Sequence, residues 1–176
     1  MSEPSWTEGV VKREAARDVM SMGQRLGEAV AIAFSLIVLL FFVANQVQDT
    51  GFFTSSFGAA EMVLFYGSLL FGMAAPMLRL FLGRRNKVRP VELISTGFFI
   101  VATSYLLYVF PFDFSHLADL LPGSIQFLLD WITNDIAEAL FGLAIVVATF
   151  ASVWMAFLYV MVRDWLIRNP PSPKPQ

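Results

Sequence analysis

The chain has 176 residues, of which 57% are hydrophobic and 15% charged, with a formal net charge of −2 and a pI of about 5.3. This composition and a mean hydropathy of +0.65 indicate a membrane protein and exclude a soluble domain or a nucleic-acid-binding module. Cysteine is absent and histidine occurs once, which excludes disulfides, thiolate metal sites and bis-histidine haem.

The first residues, 1–25, are predicted to form a cytoplasmic amphipathic segment. Apolar residues recur at helical spacing over 5–24, and Ser5 and Glu8 have the spacing of a capping box. We expect either a helix that lies on the inner leaflet or a plain extension of the first membrane helix.

Four apolar stretches are long enough to cross a bilayer, which requires about 20 helical residues. They are 26–45, 59–82, 93–110 and 136–162, and they make up a predicted transmembrane domain over residues 26–162. Pro76 predicts a kink in the second helix because proline removes one backbone hydrogen bond. The fold class is therefore an all-α integral membrane protein with four transmembrane helices.

All twelve Lys and Arg residues flank the same ends of these stretches, and residues 45–58 and 111–135 contain none. The cations are Lys12, Arg13, Arg17, Arg25, Arg79, Arg84, Arg85, Lys87, Arg89, Arg163, Arg168 and Lys174. Since cationic loops stay in the cytoplasm, both termini are predicted to be cytoplasmic. Compact loops and the absence of N-glycosylation sequons favour a plasma membrane, in particular a prokaryotic inner membrane.

A segment between the third and fourth helices, residues 112–134, is too apolar for an open loop, and Leu-Pro-Gly at 121–123 interrupts it. We predict two short helices that lie at the outer face. A re-entrant hairpin is the alternative, and it requires other helices to cover the non-helical backbone. After the fourth helix, residues 163–176 form a predicted cytoplasmic tail whose proline-rich end, 169–176, is expected to be disordered.

Small residues mark the predicted helix-packing faces, because helices in lipid associate by close approach. The set comprises Gly23, Gly27, Ala31 and Ser35 near the first helix, and Gly67 and Gly72 in the second. Packing within the chain is one interpretation, and a seam between identical chains is the other.

The fourth helix carries a small and polar stripe that includes Glu138, Thr149, Ser152 and Tyr159. With Gly142, Ile145, Ala156 and Arg163 they follow alternating steps of four and three, so they share one face. We expect protein or water rather than lipid against this face. The two interpretations are helix packing, with each hydroxyl bonded to its own helix, and a water-lined path.

Acidic residues at the predicted outer face lack any neighbouring cation, and such groups attract cations. Glu61 and Asp135 stand at the entrances of the second and fourth helices. Asp135 and Glu138 also have the spacing of an N-cap and its N3 partner.

Glu28 lies about one turn inside the first helix, where a carboxylate is costly unless it is paired or functional. Arg25, Arg79 and Arg84 are the candidate partners. We expect either a structural salt bridge or a role linked to ions. His116, in the outer segment, is a candidate sensor of external pH.

No catalytic motif occurs in the chain, so we expect no enzyme activity, no cofactor and no metal site. The predicted function is a homo-oligomeric cation channel or transporter with a polar path along the fourth helix. The alternative is a non-catalytic accessory subunit of a larger membrane complex. The expected partners are the lipid bilayer, further copies of the chain or other membrane subunits, and cations, but not nucleic acid.

Overall fold

The computed structural model describes residues 6–169 and is all-helical. Its five helices are α1 (Trp6–Ala16), α2 (Met22–Val47), α3 (Ala59–Leu82), α4 (Arg89–Val109) and α5 (Asn134–Arg168). Four of them, α2 to α5, are long and apolar enough to cross a membrane, which confirms the four predicted spans. Ser5 and residues 170–176, which hold most of the predicted proline-rich end, lie outside the described residues.

The start of α2 corrects the prediction of one helix over 5–24. Ser21 Oγ accepts the Gln24 backbone N–H at 3.3 Å, and Gln24 Oε1 accepts the Ser21 N–H at 3.0 Å. This capping box starts α2 at Met22, whereas α1 ends at Ala16, so residues 17–21 separate the two helices.

The N-cap of α5 is Thr133, not Asp135 as predicted. The Thr133 hydroxyl accepts the Ile136 N–H at 3.4 Å. At its other end α5 continues past the predicted boundary at 162 to Arg168. Its 35 residues span about 52 Å at 1.5 Å per residue, well beyond a hydrocarbon core of about 30 Å.

The four spans form a row rather than a closed bundle. Each packs against its neighbour in sequence, and within the described residues the backbones of α2 and α5 do not approach closely. The short helix α1, although it precedes α2 directly, packs against α5 at the far end of the row. Because successive spans are antiparallel, the start of α2, the end of α3 and the start of α4 meet at one end, which we call the arginine end.

At the arginine end, residues 17–21 are bound to the loop between α3 and α4. The Met20 N–H donates to Gly83 O and the Arg85 N–H to Asp18 O, both at 2.9 Å. The Asn86 N–H donates to Asp18 Oδ1 at the same distance. Gly83 ends α3 with φ +61°, a left-handed conformation that favours glycine. The chain before α2 is thus fastened to the α3–α4 loop.

The opposite end, which we call the phenylalanine end, holds an aromatic core. Phe52 is 1% exposed, and its ring packs against those of Phe42, Phe53, Phe112 and Phe114. Backbone hydrogen bonds join the two loops that carry these rings: the Asp113 N–H donates to Phe52 O at 2.8 Å. The loops 48–58 and 110–114 therefore form one packed unit.

The segment predicted to form two short helices contains two 3₁₀ turns instead of α-helices, Phe114–His116 and Gln126–Leu128. Leu121, Pro122 and Gly123 lie between them, as predicted. Proline lacks a backbone donor and glycine disfavours helix, so neither piece extends to a full α-helical turn.

Candidate functional site

Arg79 is the centre of a charge cluster at the arginine end. Its Nε lies 2.8 Å from Glu28 Oε1 and its Nη2 lies 3.1 Å from Glu28 Oε2, a bidentate pair. Its Nη1 lies 2.9 Å from Glu92 Oε2. The side chains of Arg79 and Glu28 are each only 16% exposed. One guanidinium thus joins α2, α3 and α4. Of the three predicted candidates, Arg79 rather than Arg25 or Arg84 is the partner of Glu28.

Helix ends place these charges favourably. Arg79 lies in the last turn of α3 and Glu92 in the first turn of α4. A cation at a helix C-terminus and an anion at an N-terminus each interact well with the helix dipole. The two helices also pack closely, because an added Cβ at Gly67 would lie 3.3 Å from the Phe98 ring.

A second ion pair lies beside the first. Arg89 Nη2 is 2.8 Å from Glu14 Oε2, which connects the start of α4 to α1. Arg89 is 8% exposed, and its Nη1 has no hydrogen-bond partner among the described residues.

The two ion pairs border a cavity of about 420 Å³ to which all five helices contribute. Its charged lining consists of Glu14, Glu28, Glu92, Arg79, Arg85 and Arg89. Its apolar wall comes from α5, through Ala151, Trp154, Met155 and Leu158. Acids and arginines balance, so the cavity has no excess of either charge. Within residues 6–169 no group of three or more His, Cys, Asp or Glu is arranged to hold a metal ion.

The predicted polar stripe of α5 lies on a different face from this cavity. Thr149 is exposed, and its hydroxyl donates to Ile145 O at 2.7 Å. Ser152 and Tyr159 are half-buried, whereas Glu138 and Asp135 are exposed. None of these five residues lines the charged cavity. Thr149, Asp135 and Glu138 are therefore uncovered in the described part of the chain, whereas Ser152 is partly covered and Tyr159 lines a second cavity beside the α3–α4 loop.

Glu61 differs from Asp135 and Glu138 because it is only 8% exposed and both of its carboxylate oxygens accept hydrogen bonds. Its Oε2 accepts the Gly58 N–H at 2.9 Å, and its Oε1 accepts the Tyr105 hydroxyl at 2.9 Å. The carboxylate thus caps α3 and binds it to α4.

The small-residue positions divide into two groups. Gly67 packs within the chain, against α4. At Gly23, Gly27 and Gly72 an added Cβ would meet no described atom within 4 Å. Ala31 is exposed and Ser35 is half-buried. At Gly23 and Gly27 no other part of the described chain therefore packs closely on α2, and a seam with another chain stays a prediction.

His116 forms a hydrogen bond with Asp119, with Nδ1 2.7 Å from Oδ2. This bond, with the negative charges of Asp119 and Asp113, raises the pKa of His116 above its ordinary value of 6.5.

We expect an NMR titration of the His116 ring to show this raised pKa, and we expect Asp119→Asn to lower it again. A raised pKa means that the pair stabilises the fold at low pH and loses that effect as pH rises through the folded-state pKa. A pKa at or below 6.5 in the unmodified protein would contradict the contact.

Sequence reasoning missed the roles of Glu14, Arg89 and Glu92 in the cluster. The sequence patterns singled out neither Glu14 nor Glu92, and they counted Arg89 only among the cations that set the orientation. Glu14 and Arg89 come from distant parts of the chain, and no local pattern connects them. The capping box at Ser21 and Gln24, by contrast, had a visible signal in its spacing.

Comparison with protein-family models, curated proteins and solved structures finds no match for this chain.

Proposed function

We propose that several copies of this protein assemble into a cation channel or transporter, with a polar path along α5. The observation that carries the proposal is the uncovered stripe of α5, in which Thr149 is exposed and Ser152 and Tyr159 are half-buried. Hydroxyl groups in a membrane span need protein or water against them. The Thr149 hydroxyl bonds to Ile145 O of its own helix, and its exposed side remains open to a partner outside the described chain. A second chain, or a water-filled path between chains, would cover the stripe.

Self-association is also supported by α2. The Gly23 and Gly27 positions leave open space beside the helix, which permits another backbone to approach closely. The backbones of α2 and α5 do not approach each other closely among the described residues, so one chain does not close into a ring of four spans. A path for ions therefore requires more than one copy.

The acids of the phenylalanine end support a preference for cations. Asp49, Asp119, Asp130, Asp135 and Glu138 are exposed, and no Lys or Arg occurs in residues 26–78 or 90–162. In an assembly these carboxylates repeat around the entrance, and rings of Asp or Glu favour cations. The Lys/Arg bias orients the arginine end toward the cytoplasm, so the acids face the outside.

The test is cation flux into liposomes that contain the purified protein. We expect Thr149→Leu/Ser152→Leu to reduce the flux about tenfold or more, because each lost hydroxyl contact costs about 0.5–1.5 kcal/mol at the barrier. The matched control is Val153→Leu/Val160→Leu, on exposed apolar positions of the same helix, which should leave flux unchanged. Absence of flux above empty liposomes at any pH or voltage would overturn the proposal.

A second candidate function is a non-catalytic subunit of a larger membrane complex. The open face of α2 favours it, because a partner helix of another protein would fit there equally well. Native mass spectrometry of the protein in mild detergent separates the two candidates. A closed homo-oligomer supports the channel or transporter, and a stable monomer supports the subunit.

A further inference from the structure

The arginine end contains a second cavity whose chemistry differs from that of the charge cluster. It has a volume of about 490 Å³ and lies between the α3–α4 loop and the last turns of α5. Four cations line it, namely Arg84, Lys87, Arg89 and Arg163, against a single carboxylate, Asp18. One oxygen of Asp18 already accepts the Asn86 backbone N–H. The cavity therefore has an excess of positive charge.

Two buried polar atoms of the lining residues lack partners. Arg89 is more than nine-tenths buried, and its Nη1 donates to no described atom although Nη2 is paired with Glu14. Asn86 Oδ1 is the other buried atom without a hydrogen bond. A buried donor and a buried acceptor without partners each destabilise the protein, so a ligand that satisfies both would bind favourably.

The remaining cations of this cavity are available to a ligand. Among the side chains that the structure describes, no carboxylate forms an ion pair with Arg84, Lys87 or Arg163. All three are exposed. An arginine fork and a lysine beside it are the groups that proteins use to bind phosphate.

One wall of the cavity is apolar. Val162 is buried, Leu166 is half-buried and Ile167 is 69% exposed, and all three belong to the end of α5. A soluble phosphate ester gains little from such a wall, whereas the first carbons of an acyl chain would pack on it. Basic pockets between membrane helices on the cytoplasmic side are sites for anionic lipid headgroups.

We propose that this cavity binds a phosphate group, which an anionic phospholipid of the cytoplasmic leaflet supplies through its headgroup. The phosphate lies between Arg89 Nη1, Lys87 and Arg163, a headgroup hydroxyl donates to Asn86 Oδ1, and the acyl chains follow the apolar wall of α5. The site goes beyond the proposed function and does not rest on it, because neither ion flux nor self-association enters the argument. The two share one residue, Tyr159, which belongs to the stripe of α5 and also lines this cavity.

The experiment measures lipid binding to the purified full chain by native mass spectrometry, with phosphatidylglycerol and phosphatidylcholine as probes. We expect Lys87→Gln/Arg163→Gln to weaken phosphatidylglycerol binding about thirty-fold, which corresponds to about 2 kcal/mol. Binding of phosphatidylcholine should be unchanged. The matched control is Lys12→Gln/Arg168→Gln, which removes the same charge from a neighbouring cavity of the arginine end.

Arg89→Lys tests the buried nitrogen directly. Lysine keeps a cation for Glu14 but lacks the second nitrogen, so phosphatidylglycerol binding should fall about tenfold while the thermal unfolding midpoint is retained. A competition arm with inorganic phosphate identifies the source of the phosphate: displacement of the lipid by millimolar phosphate assigns the site to free phosphate, and no displacement assigns it to the lipid. Equal weakening in both double variants, or no weakening in Lys87→Gln/Arg163→Gln, would overturn the site.

Discussion

Arg79→Met is expected to lower the free energy of unfolding by about 3 to 5 kcal/mol, measured by equilibrium unfolding in mixed detergent micelles. Arg79 is the one cation that contacts both Glu28 and Glu92, at 2.8 and 2.9 Å. Methionine fills a similar volume but leaves two carboxylates facing each other beside the apolar wall of α5. The loss of stability therefore comes from two partly buried carboxylates without a counter-charge and not from an empty cavity.

Two further variants distinguish the effect of unpaired carboxylates on stability from the effect of losing side-chain contacts. Arg168→Met breaks an exposed pair with Asp164 on one helix, and it should cost about 0.3–0.5 kcal/mol. The triple variant Glu28→Gln/Arg79→Met/Glu92→Gln removes all three charges and should recover at least half of the loss. A loss below about 1 kcal/mol for Arg79→Met alone would show that water reaches the cluster freely.

Phe52→Ala is expected to have an effect of similar size at the other end of the molecule, about 3 to 5 kcal/mol. Phe52 is 1% exposed and packs against four other phenylalanine rings, so its removal leaves a cavity lined by aromatic side chains. The same unfolding measurement applies, since packing density stabilises helices in lipid as it does in water-soluble cores.

Phe127 provides the matched control because it is 66% exposed and lies in the segment that leads to α5. Phe127→Ala should change stability by no more than about 0.5 kcal/mol. Phe52→Leu, which keeps most of the volume, should fall between the two. Equal losses for Phe52→Ala and Phe127→Ala would mean that the aromatic rings contribute through general hydrophobicity and not through their packing.

Sequence patterns predicted the spans well because the length of an apolar stretch has a direct physical limit in the bilayer. The boundaries were less accurate, and the reason is local. Thr133 caps α5 through a side-chain hydrogen bond, whereas the sequence pattern favoured Asp135, two residues later. The Ser21 cap of α2 was not predicted, although Ser21 and Gln24 have the spacing of a capping box. Capping chemistry tolerates several residues, so spacing alone does not select one.

The charge cluster was only partly predictable. The position of Glu28 inside a span required a partner, and Arg79 was among the candidates. The choice of Arg79 depends on how α2 and α3 pack, which no pattern in either helix encodes. The pairing of Glu14 with Arg89 depends further on α1 crossing to α5, a contact between distant parts of the chain. The aromatic core arises in the same way, from loops that are far apart in sequence.

The position of α1 has a consequence for biosynthesis. Of the five helices, α1 is translated first and its partner α5 last. The spans α2, α3 and α4 can each pair with a neighbour as soon as that neighbour is inserted, and Glu14 of α1 can pair with Arg89 once α4 is present. The packing of α1 against α5 has to wait for the last span. Because contacts between distant segments form slowly, we expect the docking of α1 on α5 to be a late step of folding.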